Sequence, residues 1–174
     1  MSIVLVGSTS GSITLQEPAV AGTTVLTLPT TSGTVMINGP AFSAYPSSAT
    51  SISTSTWFKL TCNTEEFDTN SNYDATTNYR FTPTVAGYYQ VNVAFSCSAN
   101  CPIIASIYKN GSEFKRGNQA GATNFAQVTC SALVYLNGTT DYIEGYGYQS
   151  SGSTQTLSNA SNQVYFQAAM VRGA

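Results

Sequence analysis

The sequence predicts an all-β fold: a jelly-roll β-sandwich head with a short N-terminal β-arm. Three observations predict it. The run Gly87-x-Tyr89-x-Val91-x-Val93-x-Phe95 alternates apolar residues with others, the period-2 mark of a strand with one buried face. Elsewhere short β-branched and aromatic runs are divided by turn residues, and no long stretch carries apolar residues at helical spacing among good helix formers. Finally, 42% of the 174 residues are hydrophobic and only 8% are charged, which suits one packed domain and not a disordered chain.

The elements follow in chain order. Ser12-Ile-Thr-Leu-Gln16 and Thr24-Val-Leu-Thr-Leu28 read as two short alternating strands joined through Pro18-Ala-Val-Ala-Gly22. Residues 1–39 contain no aromatic side chain and cannot build a core alone; their small residues suit close packing between chains. Gly39-Pro40 marks a boundary, giving an arm over 1–39 and a head over 40–174. Head strands are expected at Ala41–Tyr45, Trp57–Cys62, Tyr79–Phe81, Gly87–Cys97, Ile103–Lys109, Glu113–Arg116, Val128–Leu136, Asp141–Tyr148 and Val164–Val171. Eight or nine such strands fill two packed sheets. Asn110-Gly111 and Asn137-Gly138 each predict a hairpin, because Asn-Gly supplies the positive φ values of a type I′ turn. Residues 64–78, 117–127 and 149–163 are polar, Ser/Thr/Asn/Gly-rich loops.

Composition excludes several functions. Net charge is −2, and of six basic residues only Lys115 and Arg116 are adjacent, so no basic stripe exists for nucleic acid. No run approaches the ~20 apolar residues of a membrane-spanning helix. Met1 to Gly7 lacks the basic start of a signal peptide, so folding in a cytoplasm is expected. The chain has no histidine, which removes Ser-His-Asp and Cys-His catalysis, and no enzymatic activity or cofactor is expected. Glu65-Glu66-x-Asp68 reads as a solvated loop cluster. A calcium site built from Glu65, Asp68 and Asp74, with Asn70 and Asn72, is the alternative, although the spacing is not that of an EF-hand. Four cysteines fit no zinc pattern. Cys97 and Cys101 could close a loop disulfide, but free thiols are expected in a reducing compartment.

The stretch containing Phe67, Asn72, Tyr73, Asp74, Phe81, Pro83, Gly87 and Tyr89 resembles the signature of the C1q/tumour-necrosis-factor superfamily of trimeric jelly rolls. Pro40-Ala-Phe42-Ser-Ala-Tyr45 looks like that family's first strand, Trp57 with Lys59-Leu60 like its second, and Phe166 to Val171 like its last. The resemblance covers residues 40–174. Val91 and Val93 depart from it where aromatics are usual, and Ala168-Ala169 replace bulkier residues. No collagen-like Gly-X-Y stalk is present, which excludes a complement-type protein. The resemblance implies a homotrimer that displays or binds. The period-2 alternation turns Tyr89, Val91, Val93 and Phe95 to the core and Tyr88, Gln90 and Asn92 the other way, where a trimer would set a neighbouring subunit. Tyr146-x-Tyr148 is read as core or interface packing, with stacking on a sugar ring as the alternative.

The segment from Ser12 to Val35, with Leu26-Thr-Leu-Pro29 and Ser32-Gly33, resembles one common in fibre and decoration proteins of tailed bacteriophages. Asn78-Tyr-Arg-Phe-Thr-Pro-Thr-Val-Ala-Gly-Tyr-Tyr-Gln-Val91 and Ala169-Met-Val-Arg-Gly-Ala174 resemble the C1q-like heads of such phage proteins, including those of viruses of cyanobacteria. These resemblances imply a trimeric capsid decoration, or cement, protein on the virion surface, assembled in the bacterial cytoplasm. Its partners would be itself and the major capsid protein, with a host-surface glycan as a further candidate. Ile13, Leu15, Val25, Leu26 and Leu28 are the expected capsid-attachment residues. The alternatives are the receptor-binding tip of a tail fibre and a free carbohydrate-binding adhesin. A 39-residue arm leaves no room for a fibre shaft, which favours the decoration protein.

Overall fold

The computed structural model describes residues 3–6, 8–15, 39–97, 100–121 and 126–174. Contacts divide the chain into two units, Met1–Thr34 and Val35–Ala174. In the first, β1 (Ile3–Val6) pairs antiparallel with β2 (Ser12–Leu15), setting Ile3 opposite Leu15 and Val6 opposite Ser12. Val4, Leu5 and Val6 are all exposed. The strand expected at Thr24–Leu28 lies outside the described residues, and with it Val25, Leu26 and Leu28.

The second unit is all-β among its described residues. In chain order its strands are β3 (Ala41–Tyr45), β4 (Thr50–Ile52), β5 (Thr56–Lys59), β6 (Thr64–Asp68), β7 (Tyr73–Asp74), β8 (Arg80–Phe81) and β9 (Gly87–Ser96). They continue with β10 (Ile103–Lys109), β11 (Ser112–Ala120), β12 (Gln127–Leu136), β13 (Ile143–Gln149), β14 (Gln155–Leu157) and β15 (Tyr165–Gly173). One sheet runs β12-β9-β15-β3-β6. A second runs β11-β10-β13-β8-β7, with β5 also paired to β13. A short β14-β4 pair stands apart from both. The last strand, β15, is the central strand of its sheet, between β9 and the head's first strand β3, so the sandwich closes only when β15 arrives.

Alternation along each strand puts one face of each sheet into a single shared core. Tyr89, Val91, Val93 and Phe95 of β9 are fully buried, as their spacing predicts. Phe42 occupies the centre, its ring 4.5 Å from Tyr73, 4.6 Å from Phe81 and 4.9 Å from Phe166. Fully desolvated rings of this size are the largest single contributions to the core, at about 2–3 kcal/mol each. The facing sheet makes room for them with small residues. A Cβ on Gly147 would lie 2.6 Å from the Phe58 ring, and one on Gly145 would press on Val93, Leu60 and Phe166. The two deeply placed tyrosines also satisfy their hydroxyls: Tyr89 donates to the Val85 carbonyl at 2.7 Å and Tyr73 to the Cys62 carbonyl at 2.8 Å.

Several expectations change. Asn110-Gly111 is the predicted type I′ turn, with φ of 53° and 79°, joining β10 to β11. Asn137-Gly138 does not form a hairpin; it carries the chain from β12 in one sheet to β13 in the other. The Asn137 side chain explains the difference. Its Oδ1 accepts the backbone N–H groups of Thr139, Thr140 and Asp141 at 2.9–3.0 Å, which turns the chain away from its own strand. The polar stretches read as loops hold β6, β7, β14 and the end of β11, all short or at a sheet edge, where apolar alternation is weakest. Cys97 and Cys101 form a disulfide, contrary to the expected free thiols: the end of β9 and the approach to β10 bring the two residues together. Cys62 and Cys130 are free and buried, and burial raises the Cys62 thiol to about 12.

Candidate functional site

The outward face of the five-stranded sheet carries the most exposed apolar surface described on the head. The same alternation that buries Val128, Cys130, Val134 and Leu136 of β12 turns Leu133 and Tyr135 to solvent. Leu133 is 55% exposed, and Phe67, at the far edge of the sheet on β6, is 50% exposed. Register sets Tyr135 opposite Tyr88 of β9, with ring centroids 5.5 Å apart. Lys109 pins this end of the sheet, donating to the Tyr135 carbonyl at 2.8 Å and pairing with Asp141 at 2.9 Å.

Between these apolar ends the face is lined mainly by side-chain amides and hydroxyls, with the Glu66 carboxylate beside β3. Gln90 donates to the Ser131 hydroxyl at 2.9 Å, and Ser131 donates to Asn92 Oδ1 at 2.8 Å. Ser43 on β3 donates to Glu66 at 2.7 Å. A groove of about 230 Å³ runs along this surface, lined by Phe67, Gln90, Asn92, Gln167 and Ala169 among others. Tyr88, Gln90 and Asn92 therefore lie on one outward face, as the β9 alternation requires. Sequence reasoning missed Leu133, Tyr135 and Phe67. The period-2 pattern of β12 held the signal for the first two.

The acidic residues are placed differently. Asp68 accepts the Tyr73 N–H at 2.7 Å. Asp74 accepts the N–H groups of Thr76, Thr77 and Asn78 at 2.9–3.0 Å, and the Asn78 side-chain amide at 2.7 Å. These bonds, led by that from Thr77, hold the Asp74 carboxyl well below the usual carboxylate range. Glu65 points to solvent on the edge strand β6. Among the described residues no group of three or more His, Cys, Asp or Glu side chains is arranged to hold a metal ion. Asp68 and Asp74 thus serve the local backbone. Ile13 and Leu15 lie on β2 of the first unit.

Solved structures of like topology fix the fold. Murine APRIL at pH 8.5 superposes with a TM-score of 0.56 at 12% identity, over 76% of this chain and 99% of that one. The globular domain of zebrafish complement 1qA protein gives 0.53 at 14% identity, over 78% and 99%. Eiger TNF from S. frugiperda gives 0.58 at 9% identity, over 79% and 96%. The head is a C1q/TNF-type jelly roll. No family model and no curated protein sequence matches the chain. At these identities the likeness concerns the fold alone. Within this jelly roll β3, β15 and β9 form the middle of one sheet, and the surface described above is that sheet's outer side.

Proposed function

We propose that this chain is a non-enzymatic structural protein of a tailed-phage virion. Three copies associate through the outward face of the five-stranded sheet, and the N-terminal unit attaches the assembly to the major capsid protein. The observation that carries the self-association is the exposure of Leu133, Tyr135, Tyr88 and Phe67 on one sheet face. Large apolar side chains gathered on one surface mark an interaction site. The interface would have an apolar periphery at both sheet edges and an amide-rich middle. Gln90 and Asn92 are linked through the Ser131 hydroxyl, which satisfies part of their hydrogen-bonding capacity within the chain and leaves the rest for a partner.

Attachment through the arm is supported by the separate first unit and by its exposed Val4, Leu5 and Val6. Ile13 and Leu15 on β2, and Val25, Leu26 and Leu28 beyond it, are the proposed capsid contacts. Three arms on one trimer would bind with avidity at a three-fold lattice position. The Cys97–Cys101 disulfide suits a particle that matures in a cytoplasm and then persists outside it. The resemblance of residues 12–35 to phage decoration proteins supplies the choice of virion. Quantitative mass spectrometry of purified virions tests it. A copy number comparable with that of the major capsid protein is expected. A handful of copies would indicate a tail-fibre component instead, and absence from the particle would overturn the proposal.

A further inference from the structure

The opposite side of the head, the outward face of the β11-β10-β13 sheet, carries a second aromatic surface with a different character. Trp57 of β5, Tyr108 of β10, and Tyr146 and Tyr148 of β13 converge there. Register brings them together: Tyr148 lies opposite Trp57, and Tyr146 opposite Ser106. The Trp57 and Tyr148 rings are 5.2 Å apart, Trp57 and Tyr108 6.1 Å, and Tyr108 stacks on Tyr146 at 3.9 Å. All four are partly exposed. Tyr146 and Tyr148 thus belong neither to the core nor to the surface proposed for self-association.

Two features restrict what this platform can bind. Its charges are already paired. Arg116 lies 5.3 Å from the centre of the Trp57 ring and donates to both Glu113 oxygens at 2.7–2.8 Å; Glu113 also accepts from Ser106 at 2.6 Å. Lys59 bonds Glu144 at 2.5 Å and the Asn78 carbonyl at 3.1 Å. An ionic ligand would have to break one of these pairs, whereas a neutral one would not. The polar tips, by contrast, are uncommitted. Among the described residues no hydrogen bond within the chain engages the hydroxyls of Tyr108, Tyr146 and Tyr148 or the Trp57 indole N–H. Packed ring bodies with free donors at their edges match a molecule that alternates C–H faces with hydroxyl groups.

We infer that the platform formed by Trp57, Tyr108, Tyr146 and Tyr148 binds an uncharged glycan. The C–H face of a pyranose packs on the rings, and its hydroxyls meet the phenols, the indole N–H and the outer lone pairs of Glu113. The inference does not depend on capsid attachment. It requires only that self-association use the other sheet.

Trp57 is the sole tryptophan, so its emission reports on the platform directly. The full-length protein is titrated with neutral gluco-, manno- and galacto-oligosaccharides, and with uronic-acid oligosaccharides as charged counterparts. A saturable change with at least one neutral series is expected. Tyr148→Ala should weaken it at least about tenfold, while Tyr88→Ala, on the other face, should leave it unchanged. Tyr146→Phe, which removes only a hydroxyl, keeps the test open if Tyr148→Ala fails to fold. Flat titrations with every neutral series, binding of the acidic series alone, or equal loss in Tyr88→Ala would each overturn the inference. Flat titrations alongside a high copy number on virions would leave the decoration role standing.

Discussion

Asp74 shows how one residue type admits two readings. As a carboxylate among Asn70, Asn72 and Asp68 it reads as an oxygen donor for a cation, yet its two oxygens accept five hydrogen bonds from Thr76, Thr77 and Asn78. The sequence Asp-Ala-Thr-Thr-Asn carried that alternative, since aspartate followed closely by free N–H groups folds into a side-chain-capped turn. The consequence is a pH dependence of definite sign. The folded-state carboxyl titrates below its ordinary value of 3.8, so its stabilisation is complete above that value and is lost as pH falls toward the lower folded value. Asp74→Asn should therefore unfold more easily than the parent at neutral pH, with the gap narrowing below about pH 4. Urea unfolding at stepped pH measures this, and a gap independent of pH would refute it. Residues whose role is burial were easier to read. Tyr89, Val91, Val93 and Phe95 are in the core because their spacing leaves them nowhere else to go.

At the scale of elements, the long central strands were legible and the short edge strands were not. β3 and β10 have the expected boundaries, because each is a β-branched or aromatic run ended by turn chemistry. β6 and β14 exist through pairing with β3 and β4, which no local pattern announces. The two Asn-Gly pairs make the same point. Asn110 is followed by a strand that can return beside β10, whereas the strand after Asn137 finds a better neighbour in the other sheet. A reducing compartment favours free thiols at Cys97 and Cys101, but compartment carries no information on the strand ends that bring the pair together. Cys97 forms an isolated bridge to Leu157 of β14, so the Cys97–Cys101 link ties the β9–β10 connection close to the small β14-β4 pair. With a sequence separation of only four, the link should contribute about 2 kcal/mol by restricting the unfolded chain. Cys101→Ser, or the parent under reductant, should lose that amount in urea unfolding. Unchanged stability would show that the β9–β10 connection is held by its packing alone.

For the whole molecule, the sandwich was legible but its partners were not, because alternation reports that a face is exposed without reporting what covers it. Leu133 tests the cover directly. It is 55% exposed, so Leu133→Glu should change the stability of the isolated head by no more than about 0.5 kcal/mol. If the five-stranded face is the association surface, the substitution buries a charge against a neighbour and should turn a trimer into a monomer. Light scattering after size exclusion distinguishes the two masses. A parent protein that runs as a monomer, or a variant that stays trimeric, would reject this surface. The topology also has a practical meaning. The Met170 N–H donates to the Pro40 carbonyl, and the Ala174 N–H donates to Ala86, just ahead of β9. The chain therefore enters and leaves the sandwich at one pole, while the disulfide and the β14-β4 pair sit at the other. A peptide grafted near residue 153 would stand at the pole remote from both chain ends of the sandwich, whereas cargo fused after Ala174 would emerge beside the strand on which the sandwich begins.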